Sequence, residues 1–167
     1  MNKQEHLKLF LKMAIKSGTG GLLYGEPGNG KTTALFSALR EYGINKAEFV
    51  YFSNYCTPRA FYDFLLENKN KLVCVDDCES LLASPVCANF LKTCLWENNG
   101  ERKVNYYTAK KKSEFIFTGR IILITNTLQK NISFIKDRVP CLEYNLTKSE
   151  ILSLAEKSIL PKEYKGL

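Results

Sequence analysis

The chain has 167 residues, enough for one domain with a full core, and its 45% hydrophobic content is that of an ordinary globular protein. Lys and Arg outnumber Asp and Glu by 24 to 17, and the resulting charge of +7 favours a polyanionic partner, most simply nucleic acid. No segment is long and apolar enough to span a membrane, and cysteines at 56, 74, 78, 87, 94 and 141 lack a paired zinc-ligand spacing. They read as reduced thiols used as small hydrophobes in a cytoplasmic protein.

Leu7, Phe10, Leu11, Ala14 and Ile15 recur at helical spacing, and the run Ser17-Gly18-Thr19-Gly20-Gly21 ends that helix, so residues 1–20 read as an N-terminal helix. Leu22-Leu23-Tyr24 reads as the first strand. The next eight residues, Gly25-Glu26-Pro27-Gly28-Asn29-Gly30-Lys31-Thr32, fit the phosphate-loop pattern G-x-x-x-x-G-K-[ST]. Ala34, Leu35, Ala38 and Leu39 then share one face of a helix that stops near Gly43. Strand, glycine loop and helix together let backbone N–H groups wrap a triphosphate, with the helix N-terminus adding partial positive charge. On this reading residues Gly25 to Thr33 (Thr33 included) cradle ATP, Lys31 reaches the β- and γ-phosphates, and the Thr32 hydroxyl holds Mg²⁺.

Phe49-Val50-Tyr51-Phe52 is a second strand, and Thr57-Pro58 is an N-cap with Pro at the first helical position, opening a helix through about Glu67. Lys71 to Val75 is a third strand, continuously apolar after the Lys, as a strand buried on both faces should be. It ends in Asp76-Asp77. Phosphoryl transfer needs a carboxylate near Mg²⁺ and a group that orients the attacking water, and the carboxyl end of a buried strand beside the phosphate loop can supply both. Asp76 is expected to help hold the hydrated Mg²⁺ and Asp77 to polarise the water, with Glu79 facing elsewhere.

Ser84-Pro85 opens a further helix with Val86, Phe90, Leu91, Cys94 and Leu95 inward, closed by Asn98-Asn99-Gly100. From Glu101 to Thr108 apolar and polar residues alternate, Lys110-Lys111-Lys112-Ser113 turns the chain, and Phe115 and Phe117 alternate on the way back. Residues 101–118 therefore read as a lysine-tipped β-hairpin. Ile121 to Ile124 is a fourth buried strand, Cys141 to Tyr144 a fifth, and Thr147-Lys148-Ser149-Glu150 a capping box that starts the last helix. The alternation predicts a single three-layer αβα domain with a five-stranded, mostly parallel sheet and an inserted hairpin.

With Gly25 to Thr32, Leu72 to Asp77 and Ile121-Ile122-Leu123-Ile124-Thr125-Asn126 in view, the chain resembles the AAA+ class of P-loop ATPases over roughly residues 21 to 145. The resemblance implies that Asn126 is the sensor 1 residue, on a strand between the two Walker strands, where it touches the γ-phosphate and the attacking water. An Asn ending a strand is also a common turn choice. It further implies that Arg138, just before the fifth strand, is an arginine finger completing a neighbouring subunit's site, so that the active form is a homo-oligomeric ring or spiral. Two departures stand out. The class mostly carries Asp-Glu where this chain has Asp76-Asp77, and the helical lid domain is expected to be absent or truncated.

The hairpin is similar to the pre-sensor-1 hairpin of superfamily 3 viral helicases and some initiators, which place basic tips against DNA. That implies Arg102, Lys103, Lys110, Lys111 and Lys112 as nucleic-acid contacts, with Tyr106 or Tyr107 stacking on a base; a solvated Lys turn with the tyrosines in the core is the alternative. The function expected is Mg²⁺-dependent ATP hydrolysis driving a DNA-directed process of helicase, initiator or loader type. A protein-remodelling ATPase and a nucleotide-dependent binding module with little turnover are the alternatives.

Overall fold

The computed structural model describes residues 2–16, 18, 20–53, 55–77, 79–108, 112–126 and 133–159. Lys110 and Lys111 fall outside them. The elements run α1 (Lys3–Lys16), β1 (Gly21–Tyr24), α2 (Lys31–Glu41), β2 (Phe49–Phe52), α3 (Pro58–Glu67), β3 (Leu72–Val75), α4 (Glu79–Ala83) and α5 (Pro85–Leu95). They continue with β4 (Lys103–Tyr107), β5 (Lys112–Ile116), β6 (Arg120–Thr125), α6 (Ser133–Lys136), β7 (Cys141–Glu143) and α7 (Lys148–Ile159).

Five strands form one sheet in the order β2-β3-β6-β1-β7, and every pair in it is parallel. Parallel strands need crossovers, and the helices supply them on both faces. Alternate residues of the central strands therefore enter two separate cores. Leu22, Val73, Val75, Ile121 and Leu123 pack with Phe61, Tyr62 and Phe90 of α3 and α5. Leu23, Cys74, Ile122 and Ile124 pack with Leu11, Ile15, Leu35 and Leu39 of α1 and α2. The three-layer architecture expected from the sequence is the one observed.

Local sequence sets the helix starts. The Thr57 hydroxyl accepts from the Ala60 N–H with Pro58 at the first position, and Ser84 does the same for Cys87 ahead of Pro85. At α7 the capping box closes both ways: Thr147 N–H donates to Glu150 Oε2 at 2.7 Å and Glu150 N–H to Thr147 Oγ1 at 3.3 Å.

Two expectations are corrected along α5. Val86 is 43% exposed, and Cys87 takes its place in the core. Positions 87, 90, 91, 94 and 95 form an unbroken i, i+3, i+4, i+7, i+8 stripe, and Val86 lies one residue off it. The helix itself ends at Leu95. Asn98-Asn99-Gly100-Glu101 forms a tight turn with positive φ at Asn99 and Gly100, and it leads into the hairpin. Five described cysteines, 56, 74, 87, 94 and 141, are free, and burial pushes the Cys74 thiol up to about 12.

The hairpin is a separate two-stranded antiparallel sheet laid against α3 and α5. Val104, Phe115 and Phe117 are buried in the core there, and the Tyr62 ring meets Phe90, Tyr106 and Phe115 at 5.2 to 5.6 Å. Tyr62 also donates its hydroxyl to Ser113 Oγ at 3.0 Å. Burying each such aromatic contributes ~1.5–3 kcal/mol, so the hairpin is fixed at its base as part of the domain.

Candidate nucleotide site

The site lies at the carboxyl ends of β1, β3 and β6, where a crevice opens in a parallel sheet. The segment from Gly25 to Gly30 leaves β1 and feeds directly into α2. Gly25, at φ +150°, passes so close to the end of β7 that a Cβ would stand 2.2 Å from the Tyr144 carbonyl oxygen, so only Gly fits. Gly30 caps α2 in the left-handed region, at φ +74°. The residues after β7 brace the loop. Glu26 N–H donates to Asn145 Oδ1 at 2.7 Å, and the Asn29 side-chain amide donates to the Tyr144 carbonyl at 3.2 Å.

Lys31 is only 5% exposed. Its ammonium donates to the carbonyls of Gly25 and Glu26 at 2.7 and 2.8 Å and to Asn126 Oδ1 at 3.1 Å. Burial lowers its pKa, while the charges of Asp76, Asp77 and Glu79 act the other way. Pro27, Gly28 and Thr33 are exposed around the loop.

Thr32 donates its hydroxyl to Asp76 Oδ2 at 2.5 Å, joining the first turn of α2 to the end of β3. A hydroxyl and a carboxylate converging beside a glycine loop are hard oxygen donors. That is the set Mg²⁺ takes when substrate phosphates and water complete its shell. Among the described residues, no group of three or more His, Cys, Asp or Glu is placed to hold a metal.

Asp77 sits at φ +49°, which turns its side chain out of the strand direction. Its Oδ1 accepts from the Asn126 side-chain amide at 3.0 Å. Since β6 lies between β1 and β3, Asn126 at the end of β6 reaches both loops, and its amide spans from Lys31 to Asp77.

Glu79 does not face elsewhere, as the sequence suggested. Its Oε1 accepts from Thr125 Oγ1 at 2.9 Å and from the Asn126 N–H at 2.8 Å, so the first residue of α4 ties down the end of β6. Tyr51, on edge strand β2, is a second site residue that the sequence pattern does not reveal. Its hydroxyl donates to Asp76 Oδ2 at 2.8 Å, and its ring lies 5.1 Å from that of Phe36. Burial, then the hydrogen bond to Asp76, pushes the Tyr51 pKa up to about 12, so the phenol stays a donor at ordinary pH.

A cavity of about 440 Å³ adjoins the loop, walled by Leu7 and Leu11 of α1, Ala34 and Ala38 of α2, and Leu146 and Leu154, with Gly28 to Gly30 at its edge. It is mostly apolar and lies beside the loop, as small-molecule pockets commonly do.

Arg138 lies away from this cluster. Its guanidinium stands 5.2 Å from the ring of Trp96 and 5.9 Å from that of Phe134, and Nη1 donates to the Phe134 carbonyl at 2.6 Å. Its Nε is buried and has no hydrogen-bond partner among the described residues. The basic hairpin residues divide. Arg102 is half-buried, stacked on Phe117 and bonded to the Cys94 carbonyl, and Lys103 pairs with Glu114 at 2.8 Å. Lys112 is the first residue of β5, opposite Tyr107, with its ammonium 5.5 Å from that exposed ring. Tyr106 is half-buried against Tyr62 and Phe90, whereas Tyr107 is 56% exposed.

No protein-family model matches the chain, and no curated protein matches it in sequence. Solved structures do match in three dimensions. The Holliday junction branch migration motor RuvB of Thermotoga maritima superposes with a TM-score of 0.60 at 18% identity, covering 93% of this chain and 51% of RuvB. NtrX of Brucella abortus, solved in complex with ATP, superposes with a TM-score of 0.63 at 12% identity, covering 94% of this chain and 39% of NtrX. The chain thus spans about half or less of the length of the structures it matches. No helix among the described residues is long and apolar enough to cross a membrane. The chain has the three-layer α/β fold of these AAA+ P-loop proteins, with its acidic strand, its Asn-tipped strand and its glycine loop side by side at the carboxyl ends of the three central strands.

Proposed function

We propose that the chain binds ATP with Mg²⁺ and hydrolyses it in the service of a DNA-directed process of helicase, initiator or loader type. The observation that carries the reading is the hydrogen-bonded chain Lys31–Asn126–Asp77 standing next to Thr32–Asp76. Gly25 to Thr33 would cradle the phosphates, Lys31 would exchange its carbonyl partners for β- and γ-oxygens, and the apolar cavity would take the base. Thr32 and Asp76 would hold Mg²⁺, whose charge neutralises the phosphates when it is bound. Asp77 would accept a hydrogen bond from the attacking water, and Asn126 would hold Asp77 while addressing the γ-phosphate.

Arg138 completes the reading as a finger acting on a neighbouring copy in a ring or spiral. Arg138 is half-buried three residues before β7, with its guanidinium 5.2 Å from the 53% exposed ring of Trp96. Subunits carrying Arg138→Ala and Lys31→Ala are each expected to be inactive and to recover partial activity when mixed.

The DNA assignment rests on the net positive charge, on the run Lys110-Lys111-Lys112 between Tyr107 and Ser113 in the sequence, and on the structural likeness to a motor that acts on Holliday junctions. A polypeptide substrate is the second reading, favoured by Tyr55, which is 82% exposed just after β2. The hydrolysis rate, measured with and without single-stranded and duplex DNA over a range of protein concentration, separates them. A DNA-directed motor accelerates with DNA and with concentration; a rate indifferent to DNA contradicts the assignment.

A further inference from the structure

Among the described residues, Asp76 accepts three hydrogen bonds. Thr32 Oγ1 and Tyr51 Oη both donate to Oδ2, at 2.5 and 2.8 Å, and the Asp77 N–H donates to Oδ1 at 2.9 Å. Asp76 as a residue is 5% exposed. The three donors are not equivalent. Thr32 stands in the first turn of α2, where its oxygen would serve as a metal ligand while its proton stays on Oδ2. Tyr51 is held on the sheet instead. Its strand pairs with β3 in register, Tyr51 opposite Cys74, and its ring is seated against Phe36. Neighbouring strands lie about 4.8 Å apart, and the length of the tyrosine side chain carries its hydroxyl from β2 to the carboxylate after β3, with Ser53 also hydrogen-bonded to it.

We infer that Tyr51 is a positioning residue for the metal carboxylate: its hydroxyl holds Asp76 Oδ2 and fixes the carboxylate plane beside the Thr32 hydroxyl, where the two would hold Mg²⁺. The inference rests on the nucleotide reading above and adds to it a residue of edge strand β2, next to β3 and three strands from β1. Outer-shell donors of this kind typically change metal affinity by roughly 10- to 100-fold when removed.

Tyr51→Phe deletes the hydroxyl and keeps the ring on Phe36, so folding is preserved. A fluorescent ATP analogue is titrated onto wild-type and Tyr51→Phe protein in EDTA and again over a series of Mg²⁺ concentrations. The expected result is equal affinity in EDTA and a Mg²⁺ midpoint raised about 10-fold in the variant. A midpoint unchanged or lowered overturns the inference, as does an equal loss of affinity with and without Mg²⁺, which would make the residue structural only. Wild-type protein with no Mg²⁺-dependent binding would sink the nucleotide reading itself. Normal wild-type behaviour with an unshifted Tyr51→Phe midpoint sinks this inference alone.

Discussion

Asn126 donates its side-chain amide to Asp77 Oδ1 at 3.0 Å, and the same side chain receives the Lys31 ammonium on its oxygen at 3.1 Å. The orientation is dictated by the partners, since a carboxylate only accepts and an ammonium only donates. A change of Asn126 to Ala removes the donor that fixes Asp77 and takes one acceptor from Lys31, which keeps the Gly25 and Glu26 carbonyls. Turnover should fall by roughly 10²-fold, with nucleotide affinity altered only a few-fold. Phosphate release and a fluorescent-nucleotide titration on the same preparation check both halves.

Glu79 holds the end of β6 through Thr125 and Asn126. Glu79→Ala leaves the Thr125 hydroxyl and the Asn126 N–H without this acceptor, at a cost of ~1–3 kcal/mol. Glu79→Gln keeps an oxygen there and should recover most of that stability. Urea unfolding of the two variants gives the comparison, and equal stability would show that the two bonds contribute nothing.

At the hairpin the basic residues should separate into two groups. Replacing Lys110, Lys111 and Lys112 together by Ala should weaken single-stranded DNA binding and reduce the slope of log affinity against log salt by about 0.7 for each phosphate no longer neutralised. Arg102→Ala removes a guanidinium stacked on Phe117 and bonded to the Cys94 carbonyl, so it should lower thermal stability and leave the salt slope alone.

The start of α7 should be acid-sensitive. The backbone N–H of Thr147, then the ammonium of Lys3 and the Thr147 hydroxyl, hold the Glu150 carboxyl down to about 2, against an ordinary 4.5. A depressed carboxyl contributes stability above its unfolded value and loses it as pH falls through the folded one. The stability gap between wild type and Glu150→Gln should therefore be full above about pH 4.5 and close toward pH 2. A gap constant over that range would contradict the assignment.

The glycine loop, the two carboxylates after β3 and the Asn after β6 were legible because each is a local pattern at the end of a recognisable strand. Their convergence was legible only through the resemblance, since the order β3-β6-β1 is set by pairing between segments distant in the chain. Glu79 and Tyr51 escaped for the same reason. Nothing near Glu79 shows that β6 ends above it, and a tyrosine in an aromatic strand looks like any other strand residue. On α5 hydrophobicity favours Val86 for the inward face, whereas the spacing of 90, 91, 94 and 95 points to Cys87, and the spacing decides. Arg102 looks like a free cation in the sequence because a sequence does not show the ring it will stack on.

Asp77 is the group whose replacement should separate nucleotide binding from hydrolysis most sharply. Wild-type protein, Lys31→Ala and Asp77→Asn should be assayed side by side for Mg²⁺-dependent ATP hydrolysis and for binding of a fluorescent ATP analogue. Wild type should bind and hydrolyse, Lys31→Ala should not bind, and Asp77→Asn should bind normally while turning over at least about 10²-fold more slowly. An Asp77→Asn protein that hydrolyses ATP at the wild-type rate would contradict the site as assigned.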